Sequence, residues 1–175
     1  LGPGAPLDLQ KQAGAILAYQ PQMVGFSATT SSFPDAADLA RLIKNHSSAI
    51  ATVCGGVHVS ALEGKLLNAY PAFDFLIAGE GEETIAELAD EIPPADIRGL
   101  IWRSQDDVTV NDVRPKIPDL DSLPFPAYEQ LKGFPRDYHL PLFSYIHTPG
   151  ATMITSRGCL YQCSYCDRSV FKKGF

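Results

Sequence analysis

Short apolar segments alternate with helical segments of about a dozen residues along the first hundred positions. Apolar runs occur at 23–27, at 49–56 and from Phe73, and each precedes a segment with apolar residues at helical spacing. This alternation is typical of βαβ units and a parallel sheet. Continuous apolar strands are typical of sheets covered on both faces. Residues 1–103 are therefore predicted to form a doubly wound α/β domain, which opens with a helix over 7–19.

The character of the sequence changes after a fourth predicted strand over 98–104. That strand and the segment from Asp107 are predicted to pair as a hairpin. Six prolines then lie between Pro115 and Pro141, a density that excludes long helices and central strands. Residues 104–150 are therefore predicted to be the hairpin and an extended, ordered connector. A new strand, Thr152–Thr155, is predicted to open a third segment, 151–175.

Three of the four cysteines lie in this third segment, at Cys159, Cys163 and Cys166, with the spacing C-x3-C-x2-C. Three thiolates in one loop can reach a common metal centre and leave one coordination position open, whereas structural zinc sites and [4Fe–4S] clusters normally take four ligands. Without a secretion signal, this clustering favours a metal or catalytic role over disulfides. Cys54 ends an apolar strand and is predicted to be a buried, unreactive thiol.

Composition narrows the class of protein. A net charge of −6 argues against a broad nucleic-acid-binding surface. No apolar run is long enough to span a membrane, so a cytoplasmic protein is expected. Residues 151–175 hold four basic side chains against one acidic side chain, which indicates either a basic patch beside the thiols or ordinary solvated charges. The chain starts without Met, and we interpret it as a piece of a longer protein cut at both ends.

Ligands of open parallel sheets bind outside the carboxyl ends of the strands. Three small or polar loops follow the predicted strands, with the sequences SATTSS, GGVH and GEGE. Neither a dinucleotide fingerprint nor a P-loop is present, and two acids at the last loop disfavour phosphate, so a large, flat ligand is expected. The candidate residues are Ser27, Thr29, Thr30, Gly55, Gly56, Gly79, Glu80 and Gly81. Helix capping and tight turns explain the same residues without a ligand.

The segment TSRGCLYQCSYC resembles the cluster motif of radical S-adenosylmethionine (SAM) enzymes, with Tyr165 before the last cysteine. The resemblance implies that Cys159, Cys163 and Cys166 hold a [4Fe–4S] cluster whose fourth iron binds SAM. Electron transfer from the cluster would then cleave SAM to a 5′-deoxyadenosyl radical. Tyr165 is implied to pack near the adenine or the cluster. The implied fold of this segment is the first strand and cluster loop of a partial TIM-like barrel.

The upstream loops resemble those of the subfamily with an N-terminal cobalamin-binding domain, a Rossmann-like, flavodoxin-type fold that here lacks its first strand. The resemblance places Ser27 and Thr29 near the cobalamin nucleotide tail. It places Gly55 and Gly56 beside that tail, and residues 79–82 near the corrin ring. Thr30 belongs to the same first loop.

The resemblance implies the N-terminal part of a cobalamin-dependent radical SAM enzyme that methylates or rearranges an unreactive carbon of a small molecule or peptide. A flavodoxin- or ferredoxin-type reductant would supply electrons, and this piece alone is expected to be inactive. The Asp-x-His-x-x-Gly motif that ligates cobalt in methionine-synthase-type domains is absent, and His58 is not assigned that role. Two alternatives stay open: a radical SAM enzyme whose first domain has lost cobalamin, and a zinc-stabilised binding module with His139 or His147 as fourth ligand.

Overall fold

The computed structural model describes residues 8–104, 107–137, 151, 153–159, 161 and 163–166. The chain divides into two compact units, Leu1–Lys116 and Ile117–Phe175. In the first unit, helices and strands alternate as the apolar periodicity predicts. Its elements are α1 (Leu9–Leu17), β1 (Met23–Ser27), α2 (Phe33–His46), β2 (Ala51–Gly55), α3 (Val57–Leu62), α4 (Gly64–Ala69), β3 (Phe75–Ile77), α5 (Glu82–Ala89), β4 (Leu100–Ser104) and β5 (Asp107–Val110).

The five strands form one sheet in the order β1-β2-β3-β4-β5. Strands β1, β2 and β3 are parallel, whereas β4 is antiparallel to both β3 and β5. The predicted α/β fold and the predicted hairpin are confirmed, and the sheet is mixed rather than wholly parallel. Strand β4 runs backwards because residues 90–99 return the chain to the edge where β3 ends. There the Ala78 N–H donates to the Gly99 carbonyl at 3.0 Å.

Helices cover both faces of the sheet, as expected for a doubly wound domain. On one face, α2, α3 and α4 bury Phe33 and Leu67 against side chains of the strands such as Cys54 and Leu76. Helix α1 packs beside α2 against β1. On the other face, Leu88 of α5 packs with apolar side chains of β2, β3 and β4. Three consecutive residues of β2, at positions 52–54, are all buried, which explains its continuous apolar sequence.

The segment after β2 departs from the single helix expected there. It forms two short helices, α3 and α4, because Glu63 between them has a φ of +49°, a conformation outside the helical region. Gly64 follows directly, and a Cβ at that position would lie 3.1 Å from Val110 Cγ2. The break and the glycine together let the start of α4 approach β5 closely.

The second unit is described in part. Among its described residues, the helical structure consists of 3₁₀ turns at Leu120–Ser122 and Tyr128–Gln130, consistent with its dense prolines. Met153, Ile154 and Thr155 belong to no strand, so the predicted strand there is not observed, and its first residue, Thr152, lies outside the described residues. A strand is stable only when neighbouring strands pair with its backbone groups. Within the described ranges, no helix is long and apolar enough to cross a membrane.

Candidate functional site

The carboxyl ends of β1, β2 and β3 lie side by side at one edge of the sheet, where Ser27 is in register with Gly55. Residues 28–32, 56–58 and 78–81 follow these strand ends, and we call them the three edge loops, although the second includes the first two residues of α3. They contain most of the residues predicted to contact a cofactor. The position agrees with the general location of ligands in open α/β sheets.

The first edge loop is organised by its own hydroxyl groups. Thr29 Oγ1 lies 3.0 Å from Ser31 Oγ and 3.1 Å from Ser32 Oγ. The Thr29 carbonyl accepts a hydrogen bond from the Phe33 N–H at 3.0 Å, at the start of α2. Thr29 therefore serves the turn into α2, but the N-cap of this helix is Ser32, and among the described residues no side chain forms a capping hydrogen bond there. Ser27 is exposed at the end of β1.

The second edge loop needs glycine for a reason internal to the fold. Gly56 has a φ of +103°, and a Cβ there would lie 2.6 Å from the Ala28 carbonyl oxygen. Only glycine allows the loops after β1 and β2 to approach this closely. Gly55 ends β2 and accepts a hydrogen bond from the Ala28 N–H at 3.0 Å. Gly56 is thus explained by chain packing, whether or not a ligand binds nearby, whereas a Cβ at Gly55 would make only ordinary contacts with Ile77, at 3.6 Å or more.

The third edge loop has more free space around its first glycine, Gly79, than the second edge loop has around Gly56. Gly79 is exposed with a φ of +84°, and a Cβ placed on it would meet no atom within 4 Å. Gly81 is the N-cap of α5 and lies close to Ile77, whose Cγ2 would be 3.2 Å from an added Cβ. Glu80 between them is half-buried. Gly79 therefore leaves room for a ligand at the sheet edge, which Gly56 does not.

Two side chains of α3 contact the neighbouring loops. His58 Nδ1 lies 3.2 Å from Thr30 Oγ1 in the first edge loop. Ser60 Oγ accepts a hydrogen bond from the Gly79 N–H at 2.9 Å and donates one to the Gly56 carbonyl at 3.1 Å. The sequence reasoning left His58 without a role and did not consider Ser60. Its position four residues after Gly56, one turn into a helix, is the signal that could have identified it.

An arginine from beyond the hairpin holds α5 in place. Arg114 Nη1 contacts a Glu83 carboxylate oxygen at 2.9 Å, Nη2 contacts Glu87, and Nε donates to Thr84 Oγ1 at 2.8 Å. The Arg114 side chain is only 9% exposed, so these contacts replace water around its charge. The sequence could not reveal these contacts, because Arg114 lies about thirty positions from the α5 residues that it contacts.

The edge suits a large polar ligand better than a small anion. Its loops offer glycine backbone, threonine and serine hydroxyls, the His58 imidazole and the Glu80 carboxylate, and they contain no lysine or arginine. Acidic residues begin α5 beside it, and they disfavour phosphate at that helix end. The opening at Gly79 leaves space at this edge, and the large, flat ligand that the sequence predicts stays a prediction.

The three clustered cysteines lie in the second unit and are exposed. The Cys166 N–H donates to the Cys163 carbonyl at 3.2 Å in a turn, and Tyr165 is 90% exposed. In the part of the chain that the structure describes, no three metal-ligating side chains converge on one point. The three thiols are exposed and outside any disulfide, which suits the ligands of a cluster. Among the described residues, however, their side chains do not converge on one point. His139, His147, Arg168, Lys172 and Lys173 lie outside the described residues.

Cys54 differs from these three cysteines in its burial and in the pKa of its thiol. Its side chain is fully buried in the core beside Leu76. Burial raises the pKa of the Cys54 thiol from 9.0 to about 12, because an apolar environment disfavours the thiolate. Since the thiolate is the reactive form, we expect Cys54 to be unreactive at neutral pH. The prediction that this thiol is buried is confirmed.

Comparisons with known proteins agree with this geometry. Residues 4–89 match the B12 binding domain family. An uncharacterized methyltransferase of Pyrococcus horikoshii is 32% identical over 90% of this chain and 34% of its own length. The anaerobic magnesium-protoporphyrin IX monomethyl ester cyclase of Synechocystis sp. is 26% identical over 95% of this chain and 33% of its own. The chain thus spans about a third of the length of these relatives.

The fold is also similar to a solved structure. The radical SAM methyltransferase TsrM from Kitasatospora setae, solved with cobalamin and a [4Fe–4S] cluster bound, superimposes with a TM-score of 0.60. The match covers 95% of this chain and 34% of that chain at 18% identity, so it shows a shared fold. Together with the matched domain and relatives, it confirms the resemblance predicted from the motifs. Residues 4–89 therefore form a domain of the B12-binding family, and the chain is similar to radical SAM methyltransferases that depend on cobalamin.

Proposed function

We propose that this chain binds cobalamin at the three edge loops and forms part of a radical SAM methyltransferase. The observation that carries the proposal is the match of residues 4–89 to the B12 binding domain, on a fold whose sheet edge is open at Gly79. Ser27, Thr29 and Thr30 would face the nucleotide tail, together with Gly55 and Gly56.

The third edge loop has the complementary role in this proposal. Gly79, Glu80 and Gly81 would lie near the corrin ring. The fixed position of α5, held by Arg114 through two glutamates, would keep that loop in place. Because the Asp-x-His-x-x-Gly motif is absent from this sequence, we assign His58 no bond to cobalt.

For the second unit we propose that Cys159, Cys163 and Cys166 hold a [4Fe–4S] cluster, with Tyr165 beside the cluster or the adenine of SAM. Their exposure outside any disulfide makes all three thiols accessible to iron. Three ligands leave one iron position for SAM. When bound, the cluster supplies the electron that cleaves SAM, and cobalamin supplies a methyl carrier.

The relatives support a proposal for the reaction of the intact protein. We propose methylation of a small molecule or peptide, with a flavodoxin- or ferredoxin-type reductant, in the cytoplasm. A methyltransferase and a cyclase are both among the relatives, so rearrangement is the second candidate reaction. The net charge of −6 disfavours nucleic acid as substrate.

Equilibrium dialysis of the 175-residue chain against hydroxocobalamin tests the cofactor. We expect saturable binding of one equivalent. Gly79→Leu should weaken it, because the added side chain fills the opening, whereas Gly14→Leu on the exposed face of α1 should not. Absence of binding by the unmodified chain would favour the alternative in which the domain has lost its cofactor.

Anaerobic reconstitution with iron and sulfide tests the cysteine loop. We expect about four irons and four acid-labile sulfides per chain, with broad absorption near about 400 nm that Cys163→Ser abolishes. Cys54→Ala is the matched control, because the buried thiol is outside the loop and should leave the cluster intact. Stoichiometric zinc without sulfide would instead support the zinc-stabilised binding module.

A further inference from the structure

We propose that Ser60 and His58 of α3 are positioning residues that tie the three edge loops into one arrangement competent for cofactor binding. The inference deepens the proposed cobalamin function and rests on it. Neither residue belongs to the set predicted to contact the cofactor. Their role follows from the fact that one short helix carries hydrogen bonds to the loops on both sides of it.

Ser60 joins the second edge loop to the third. Its hydroxyl donates to the Gly56 carbonyl at 3.1 Å and accepts from the Gly79 N–H at 2.9 Å. The Ser60 hydroxyl therefore donates one hydrogen bond and accepts another at the same time. The two glycines that it connects are 23 positions apart in the sequence. Gly79 is an exposed glycine with a positive φ, and such residues are conformationally permissive. The bond to Ser60 restricts this freedom at the point where the sheet edge is open.

His58 joins the second edge loop to the first. Its Nδ1 lies 3.2 Å from Thr30 Oγ1, and its ring packs on Phe33 with the centroids 4.4 Å apart. Phe33 is itself buried in the core, so the imidazole is held on one face by a rigid neighbour. The hydroxyl of Thr30 is thereby held toward α3.

The two contacts matter because loops that are ordered before a ligand arrives do not lose conformational entropy on binding. Without Ser60, the amide of Gly79 would bond to water and the third edge loop would sample more conformations. A neutral hydrogen bond contributes modestly to a folded state. Losing both bonds of the serine hydroxyl should therefore weaken cobalamin binding by about tenfold.

Hydrogen exchange of the cofactor-free chain tests directly whether the hydrogen bonds of Ser60 order the third edge loop. In Ser60→Ala, we expect the amides of residues 79–82 to exchange at least about fivefold faster, while those of the buried strand residues Cys54 and Leu76 do not change. Ser60→Thr keeps a hydroxyl and should restore the exchange rate. Ser48→Ala, an exposed serine at the other end of β2, is the matched control and should change nothing.

Cobalamin affinity provides the second measurement. By dialysis with hydroxocobalamin, Ser60→Ala and His58→Phe should each bind more weakly, and Ser60→Thr and Ser48→Ala should bind like the unmodified chain. Phenylalanine keeps the packing on Phe33 and removes only the hydrogen bond.

The outcomes separate the two proposals. If the unmodified chain binds no cobalamin, the proposed function fails, and the exchange data alone decide whether Ser60 orders the third loop. If exchange at 79–82 is unaltered in Ser60→Ala, or rises equally throughout the sheet, the positioning role is wrong. Unaltered affinity in Ser60→Ala, in a chain that does bind cobalamin, also overturns it.

Discussion

Burial gives Cys54 a chemistry different from that of the other three cysteines. The clustered thiols are exposed, whereas the pKa of Cys54 is raised to about 12 by burial. At pH 8, a thiol reagent should therefore modify three cysteines rapidly and Cys54 only after unfolding. Mass spectrometry of the peptides after a short pulse of iodoacetamide measures this. Fast modification of Cys54 in the folded chain would contradict its position in the core.

The same pKa predicts how stability depends on pH. Between pH 9 and about 12 the folded state retains the Cys54 proton that the unfolded state loses. The free energy of unfolding should therefore fall as pH rises through this window, by up to ~1.4 kcal/mol per pH unit. Because other groups titrate there as well, the measurement is the difference in slope between the unmodified chain and Cys54→Ala in urea unfolding at pH 8, 9 and 10. Parallel slopes would show that the thiol is not the cause.

Glycine has opposite roles at two positions of this chain. Gly56→Ala should destabilise the fold by about 2–4 kcal/mol, because the new Cβ would lie 2.6 Å from the Ala28 carbonyl oxygen at a φ of +103°. Gly14→Ala in α1, where nothing lies within 4 Å, should stabilise it by up to about 1 kcal/mol. Urea unfolding measures both, and equal effects would argue against a close approach of the two edge loops.

At the scale of elements, Asn111 keeps the return segment before β4 in place. Its Nδ2 donates to the Pro94 and Ile97 carbonyls at 2.6 and 2.7 Å, and its Oδ1 accepts from Trp102 Nε1 at 3.1 Å. This single amide therefore holds the segment 94–97 against the hairpin, and so helps β4 to enter the sheet antiparallel to β3.

Asn111→Ala should consequently lower the free energy of unfolding by about 2–4 kcal/mol, because it leaves three polar groups of the protein without their partner. Asn45→Ala is the matched control, since Asn45 is exposed on α2 and alanine favours helix. Thermal or urea unfolding followed by circular dichroism measures the difference. A loss no greater than that of the control would show that the return segment is held by other contacts.

At the scale of the whole molecule, the cysteine loop and the sheet edge belong to different compact units. A variant with Cys159, Cys163 and Cys166 all changed to serine should therefore keep the unfolding midpoint of the first unit within about 2 °C, because exposed side chains contribute little to stability. Differential scanning calorimetry measures this in the cluster-free chain. A large shift would mean that the exposed thiols stabilise the folded chain.

In the first unit, local sequence patterns predict some features of the fold correctly and miss others. The bounds of β1 and the hairpin of β4 and β5 agree with the apolar periodicity, because these strands consist of local runs with clear ends. The direction of β4 and the break at Glu63 were not predicted. Both depend on contacts between distant positions, such as Asn111 with Pro94 and Gly64 with Val110, which no local pattern encodes.

The same distinction between local sequence patterns and contacts between distant positions applies to the candidate site. The sequence by itself indicated the resemblance, through the spacing of three cysteines and the order of three small loops, because these motifs are local and their chemistry depends on residue type. It also determined that Cys54 is buried. Only the tertiary structure decided that Gly56 serves the packing of Ala28, that Gly79 is open, and that Ser60 and Arg114 hold the loop and helix around it. Those roles arise from hydrogen bonds and close approaches between segments that folding alone brings together.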